Sequence, residues 1–132
     1  HGVIYDFIRK LNDNSSRLEI LGDGKQTKPY IYVKDLVQAI VSMKESEQTG
    51  VRLYNLGVDS STSVTRIADI LCEEMELENV EYCYTGGEAG WKGDVPRFQY
   101  CLDKIHAAGW RAQFDSDEAV RMAVKHELGK LE

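Results

Sequence analysis

The 132-residue sequence has no apolar run approaching the ~20 residues needed to span a bilayer, so no membrane segment is expected. It has no cluster of lysine and arginine. Its 16 basic and 22 acidic residues give a formal charge of -6, and a concentrated basic patch for duplex nucleic acid is missing. The cysteines are few and odd in number: Cys72, Cys83 and Cys101, with no C-x-x-C spacing. A disulfide framework is therefore disfavoured, and a reduced, cytoplasmic setting is expected. His1, His106 and His126 are not grouped with cysteines or carboxylates at metal-ligand spacing. No Ser/His/Asp or Cys/His set stands in the order a known nucleophilic motif requires.

What remains is an ordinary globular composition, 42% hydrophobic and 29% charged, sized for one domain. Val3, Ile4, Phe7, Ile8 and Leu11 fall at helical spacing within residues 2–11. Because this helix starts almost at His1, the chain reads as a piece of something longer. Leu18–Leu21 reads as a short strand closed by the turn Gly22-Asp23-Gly24, and Tyr30–Val33 as a second strand. Asp35 opens a helix that places Leu36, Val37, Ile40 and Val41 on one face. Leu53–Leu56 reads as a strand. Ser63 is an N-cap for a helix whose buried stripe is Val64, Ile67, Ala68, Leu71, Cys72 and Met75. Val80–Tyr84 alternates as a strand, and a loop runs from Thr85 to Phe98. Asp103–Ala108 and Ser116–Leu128 are the last helices, the first ended by Gly109. Helices alternating with a few short strands predict an α/β class: a small, two-layer, mixed helix–strand domain.

Two apparent motifs do not hold. Gly87, Gly90 and Gly93 mimic a dinucleotide fingerprint, but that motif must run straight into a helix. Here Asp94-Val95-Pro96 follows, and the proline disfavours helical backbone in the residue before it. Tyr30 and Lys34 spell Y-x-x-x-K. On a strand those side chains would sit about 13 Å apart at ~3.3 Å per residue, too far for a catalytic pair. Tyr30 is expected to pack and Lys34 to be exposed.

Two segments carry groups that could hold a nucleotide diphosphate. Residues 18–35 join an apolar strand and a tight turn to Lys28 beside Pro29. Residues 84–98 combine glycines with Trp91, Lys92, Asp94 and Arg97. Cations can hold phosphates, an apolar or aromatic slot can hold a base, and a carboxylate can accept a ribose hydroxyl. Taken by composition, the same segments also read as two surface loops with scattered charges.

The order of the motifs resembles the C-terminal region of the extended short-chain dehydrogenases, the family of UDP-glucose 4-epimerases and dTDP-glucose 4,6-dehydratases. The resemblance rests on ILGDGKQTKPYIYVKD at residues 20–35, Tyr54-Asn55-Leu56-Gly57, the Ser63-capped helix, Trp91-Lys92-Gly93-Asp94, DKIHAAGW at residues 103–110 and Glu118-Ala119-Val120-Arg121. It implies a parent enzyme that uses NAD or NADP on an N-terminal Rossmann domain, with a nucleotide sugar as substrate. It also implies that the catalytic Tyr/Lys pair lies outside these residues, leaving a substrate-binding part that is inactive alone. Carried over by position, Ile20 and Leu21 would flank the base, Lys28 would reach the phosphates, and Asp94 matches the acid of the family's R-P-G-D. Trp91 stands where that motif has its arginine, with Lys92 and Arg97 as neighbouring cations. Lysine at position 28 replaces an arginine and loses its bidentate geometry. Those two departures support a competing expectation, a family member that binds a ligand or protein without turnover. Without Rossmann helices, self-association through a surface that the whole protein covers is a further possibility of the fold.

Overall fold

The computed structural model describes residues 2–45, 49–87, 90, 93, 95 and 97–131. Among these residues, five helices and four short strands follow one another in mixed order. They are α1 (Val3–Asp13), β1 (Arg17–Ile20), β2 (Thr27–Lys28), α2 (Val33–Glu45), β3 (Thr62–Ser63), α3 (Val64–Glu74), β4 (Glu81–Tyr84), α4 (Asp103–Ala107) and α5 (Ser116–Glu127). The small mixed α/β class expected from the sequence is the observed one. Among the described residues, no helix is long and apolar enough to cross a membrane.

β1 and β4 pair in parallel, with Arg17 opposite Glu81 and Ile20 opposite Tyr84. A parallel pair needs a crossover, and that crossover contains β2, α2, β3 and α3. The main core lies over this pair. Phe7 and Leu11 of α1, Leu18 and Ile20 of β1, Ile67, Ala68, Ile70, Leu71 and Cys72 of α3, and Val120 and Val124 of α5 are all buried in it. The alternation of Leu18 and Ile20 inward with Arg17 and Glu19 outward is the period-2 pattern of a half-buried strand. α3 and α5 start at side-chain caps. The Ser63 side chain accepts from Arg66 N at 3.1 Å. Asp115 and Glu118 form a reciprocal capping box on α5.

Three expectations are corrected. Tyr30–Val33 is not a strand. The short strand lies upstream at Thr27–Lys28, pairing with Thr62–Ser63, and Val33 already begins α2. Leu53–Leu56 has an extended strand's alternation in burial but no partner strand among the described residues. Asp35 does not open its helix. It is buried at the third helical position, and its carboxylate accepts from the backbone N–H groups of Gln113 and Phe114, both at 3.1 Å. Val37, Ile40 and Val41 are correspondingly turned to the surface, about half exposed each. The short side of α2 packs Ala39 into a second, smaller cluster with Leu102, Ile105 and Trp110.

Candidate functional site

The first segment turns sharply after β1. Gly24 sits at φ +73°, and a Cβ there would meet Thr65 Oγ1 at 2.3 Å and Tyr84 Cε1 at 2.4 Å. Only glycine fits that combination of left-handed backbone and close approach. The turn is tied to α3, because Thr65 N and Thr65 Oγ1 both donate to Gly24 O at 3.1 Å. Val64 N donates to Gln26 O at 3.0 Å. Below the chain here, Thr62 donates to Asp117 and shares a second 2.7 Å hydrogen bond with Ser116, whose hydroxyl accepts from Tyr30 N at 3.0 Å. Residues 24–30 are therefore fixed from both ends by α3 and the start of α5.

The second segment is brought beside the first. Thr85 N donates to Ile20 O at 3.0 Å and Gly86 N to Gly22 O at 2.9 Å. Further along, Thr27 and Arg97 form a parallel bridge. The backbone of Arg97 thus lies next to β2, one residue from Lys28.

Between these segments and α1 lies a cavity of about 610 Å³. It is lined by Gly2, Val3, Asp6 and Phe7 of the first helix and its cap, by Leu21, Gln26, Lys28 and Tyr30, and by Val64 and Gly90. Its walls are mostly apolar. Positive potential comes from Lys28 and from the N-terminus of α1, where Gly2 is the N-cap and no side chain caps the helix. Asp6 is already paired, with Lys10 at 2.9 Å and Arg9 at 3.2 Å.

The proposed site residues divide as follows. Leu21 and Lys28 line the cavity. Ile20 does not: it is fully buried in the main core, packed under β1, and its role is structural. The reason is the pleat, since adjacent strand positions face opposite ways and only one of Ile20 and Leu21 can face the cavity. Arg97 is exposed and approaches through its backbone bridge. Trp91, Lys92 and Asp94 lie outside the described residues. Tyr30 packs as expected, half-buried against the main core, and also faces the cavity; Lys34 is exposed. The sequence reading missed Gln26, and missed Val3 and Phe7 as site residues. The last two looked like ordinary core positions of an amphipathic helix. Gln26 carried one usable signal, a polar residue between a turn and a β-forming segment.

Away from the cavity, the titration behaviour follows from structure. Tyr82 donates to Asp69 at 2.9 Å, and burial pushes its hydroxyl pKa up. Burial also raises the Cys72 thiol. Glu73 is held below its ordinary value by hydrogen bonds from Arg121 and then Arg66. Among the described residues no group of three or more histidine, cysteine or carboxylate side chains could hold a metal.

The comparisons with known proteins agree on one family. The sequence profile of the NAD dependent epimerase/dehydratase family matches residues 1–57. A Methanocaldococcus jannaschii protein provisionally named a UDP-glucose 4-epimerase is 30% identical over 128 residues, which is 93% of this chain and 38% of that protein. The dTDP-D-glucose 4,6-dehydratase of Homo sapiens is 29% identical over 135 residues, covering 93% of this chain and 35% of the relative. A crystal structure of UDP-galactose 4-epimerase superposes with a TM-score of 0.81 at 32% identity, covering 100% of this chain and 41% of that one. The fold matches part of the epimerase fold. The chain belongs to the NAD-dependent epimerase/dehydratase family, and it spans little more than a third of the length of the curated relatives it matches.

Proposed function

We propose that the protein containing this chain is an NAD(P)-dependent epimerase or dehydratase acting on a nucleotide sugar, and that residues 1–132 are its C-terminal substrate-binding region. The observation that carries this reading is the cavity, where Leu21, Lys28 and the N-terminus of α1 meet. An apolar wall can hold a base, and a cation beside a helix N-terminus can hold phosphates. Members of this family are described as NAD dependent. In the parent, NAD or NADP takes up and returns a hydride, while these residues bind and orient the sugar nucleotide. The Rossmann domain and the catalytic pair belong to the remainder of the parent.

The surface supports that division. Val33, Val37, Ile40 and Val41 on α2, with Val51 and Leu53, are large apolar side chains between 46% and 96% exposed. Val33, Val37 and Val41 line one apolar surface groove, and a contiguous exposed apolar patch marks a contact surface. The remaining part of the parent is its occupant in this reading, and it also supplies the missing partner for the extended 53–56 segment.

The test is calorimetric titration of the chain with UDP, dTDP and GDP, and with Lys28→Ala as the control. Saturable binding of one nucleotide, weakened roughly fivefold to tenfold by Lys28→Ala, is expected for a lost charge-assisted contact. Binding indifferent to Lys28 would overturn the assignment of this cavity. Turnover of UDP-glucose by the 132 residues alone would overturn the claim that the chemistry lies elsewhere.

A further inference from the structure

Beneath residues 28–30 lies a buried polar relay. Ser116 and Thr62 are 0% and 1% exposed, two hydroxyls among buried side chains that are mostly apolar. A buried hydroxyl is costly unless it is paired, and the direction of each bond here follows from its neighbours. The Asp117 carboxylate can only accept, so the 2.7 Å contact from Thr62 Oγ1 to Asp117 Oδ1 engages the Thr62 proton. Thr62 Oγ1 must then accept across its 2.7 Å contact with Ser116, which engages the Ser116 proton. Ser116 Oγ in turn accepts from Tyr30 N at 3.0 Å. The result is one directed chain, from Tyr30 N–H through Ser116 and Thr62 to Asp117. Arg66 Nε holds its far end, donating to Asp117 Oδ2 at 3.0 Å. Hydrogen bonds that run in one direction polarise and strengthen one another.

The near end of the relay falls at Lys28. Thr62 is the cross-strand partner of Lys28 in the β2–β3 pair. Ser116 Oγ lies 3.4 Å from the Lys28 carbonyl while it accepts from Tyr30 N, so it sits against the peptide groups on both sides of Pro29. Proline has no N–H, which makes Tyr30 N–H the first backbone donor after Lys28 that can anchor this stretch. Lys28 carries its charge on a flexible four-carbon stem, without the rigid fork of an arginine. Where its ammonium group falls in the cavity is therefore set by where its backbone is held. We propose that Thr62 and Ser116 are positioning residues for the contact between Lys28 and phosphate: their relay to Asp117 fixes the 28–30 backbone before the ligand arrives. This inference rests on the nucleotide-binding reading of the cavity, yet neither side chain is among the lining residues of that cavity.

The experiment titrates UDP into the wild-type chain, Lys28→Ala, Thr62→Val, Thr62→Ser and the double variant of Lys28→Ala with Thr62→Val, each checked for folding by circular dichroism. Valine keeps the shape of threonine and removes the hydroxyl. Thr62→Val should weaken UDP binding roughly threefold to fivefold, less than the full loss of the Lys28 contact. In the Lys28→Ala background the same change should weaken it by less than about 1.5-fold, because residues acting through one contact are not additive. Thr62→Ser, which restores the hydroxyl, should recover most of the affinity. A residue with a purely structural role would act equally in both backgrounds. Hydrogen exchange of the Tyr30 amide, followed by NMR on the unaltered, ligand-free chain, should be slowed about tenfold or more relative to an exposed amide. If Thr62→Val does not fold, Asp117→Ala takes its place in the same cycle, at the 43% exposed end of the relay. Equal losses in the two backgrounds, an unchanged UDP affinity without the relay, or an unprotected Tyr30 amide would overturn the positioning role and leave the nucleotide reading standing. No saturable binding of UDP by the wild-type chain would overturn both.

Discussion

The two hydrophobic clusters handle apolar residues in opposite ways. In the main core, α1, α3, α5 and β1 turn their large side chains toward one another, and eleven buried residues meet there. In the smaller cluster, four buried residues from α2, α4 and the residues flanking α4 meet, while α2 turns Val33, Val37, Ile40 and Val41 outward. Both regions have similar raw material in sequence. The difference is where the partner lies. The main core is closed within this chain. The α2 region relies on polar anchors: Asp35 accepts from the 113–114 backbone, and Gln38 accepts from Trp110 Nε1 at 2.8 Å within its own cluster. Its apolar face is left exposed by this chain. The cavity sits on the closed side, so its walls are preformed.

The largest expected effect follows from that contrast. Leu71 on α3 is fully buried in the main core. Leu71→Ala should destabilise the chain by about 2–5 kcal/mol, the range for truncating a packed leucine. Urea unfolding followed by circular dichroism reads this directly. A loss below about 1 kcal/mol would mean the main core is loosely packed, and the distinction between the two regions would fail.

The parts of this contrast that were legible in sequence are those set by local pattern. The periods of α1 and α3 predicted their inward faces, because each buries its apolar stripe against another element of the same chain. The Ser63 cap was legible because a side-chain cap is a contact across three residues. The face of α2 was misread for a physical reason. Its apolar stripe is real, but a stripe says that something covers it, not what. Asp35 was read as a helix opener because its partners at 113 and 114 are distant in sequence. In the cavity, Leu21 and Lys28 were reached through a resemblance in motif order. Gln26 was not reached, since its burial at the cavity wall is set by three-dimensional packing.

A smaller effect should come from charge at the edge of the closed region. Arg66 bonds Glu73 at 2.9 Å and Asp117 at 3.0 Å, while Arg121 bonds Glu73 and, at 2.6 Å, Glu74. This network links α3 to α5. Glu73 has its pKa lowered in the folded state from an ordinary value of 4.5. A lowered carboxylate contributes stability that is present above the unfolded value and is lost as pH falls through the folded one. The pair is half exposed, so screening keeps its worth below about 1 kcal/mol. Melting temperatures of the wild type and Glu73→Gln should differ at pH 7 and converge as pH drops below 4.5. A gap that persists undiminished at pH 2.5 would remove the ion pairs as its cause.

The smallest effect is expected on the open face, and it sharpens the comparison most. Val37 and Ile40 are 54% and 55% exposed. Changing both to serine removes little packing from this chain, so its unfolding free energy should move by no more than about 0.5 kcal/mol per site. Serine is only modestly worse than valine or isoleucine in a helix. The same pair of changes should lower the binding of a dye that reports exposed apolar surface, and should reduce any self-association measured by light scattering. Stability and surface behaviour would thus separate on α2, whereas on α3 a substitution at Leu71 changes stability first. If Val37→Ser with Ile40→Ser cost as much as Leu71→Ala, the α2 face would be part of the folding core of this chain, and the docking role assigned to it would be wrong.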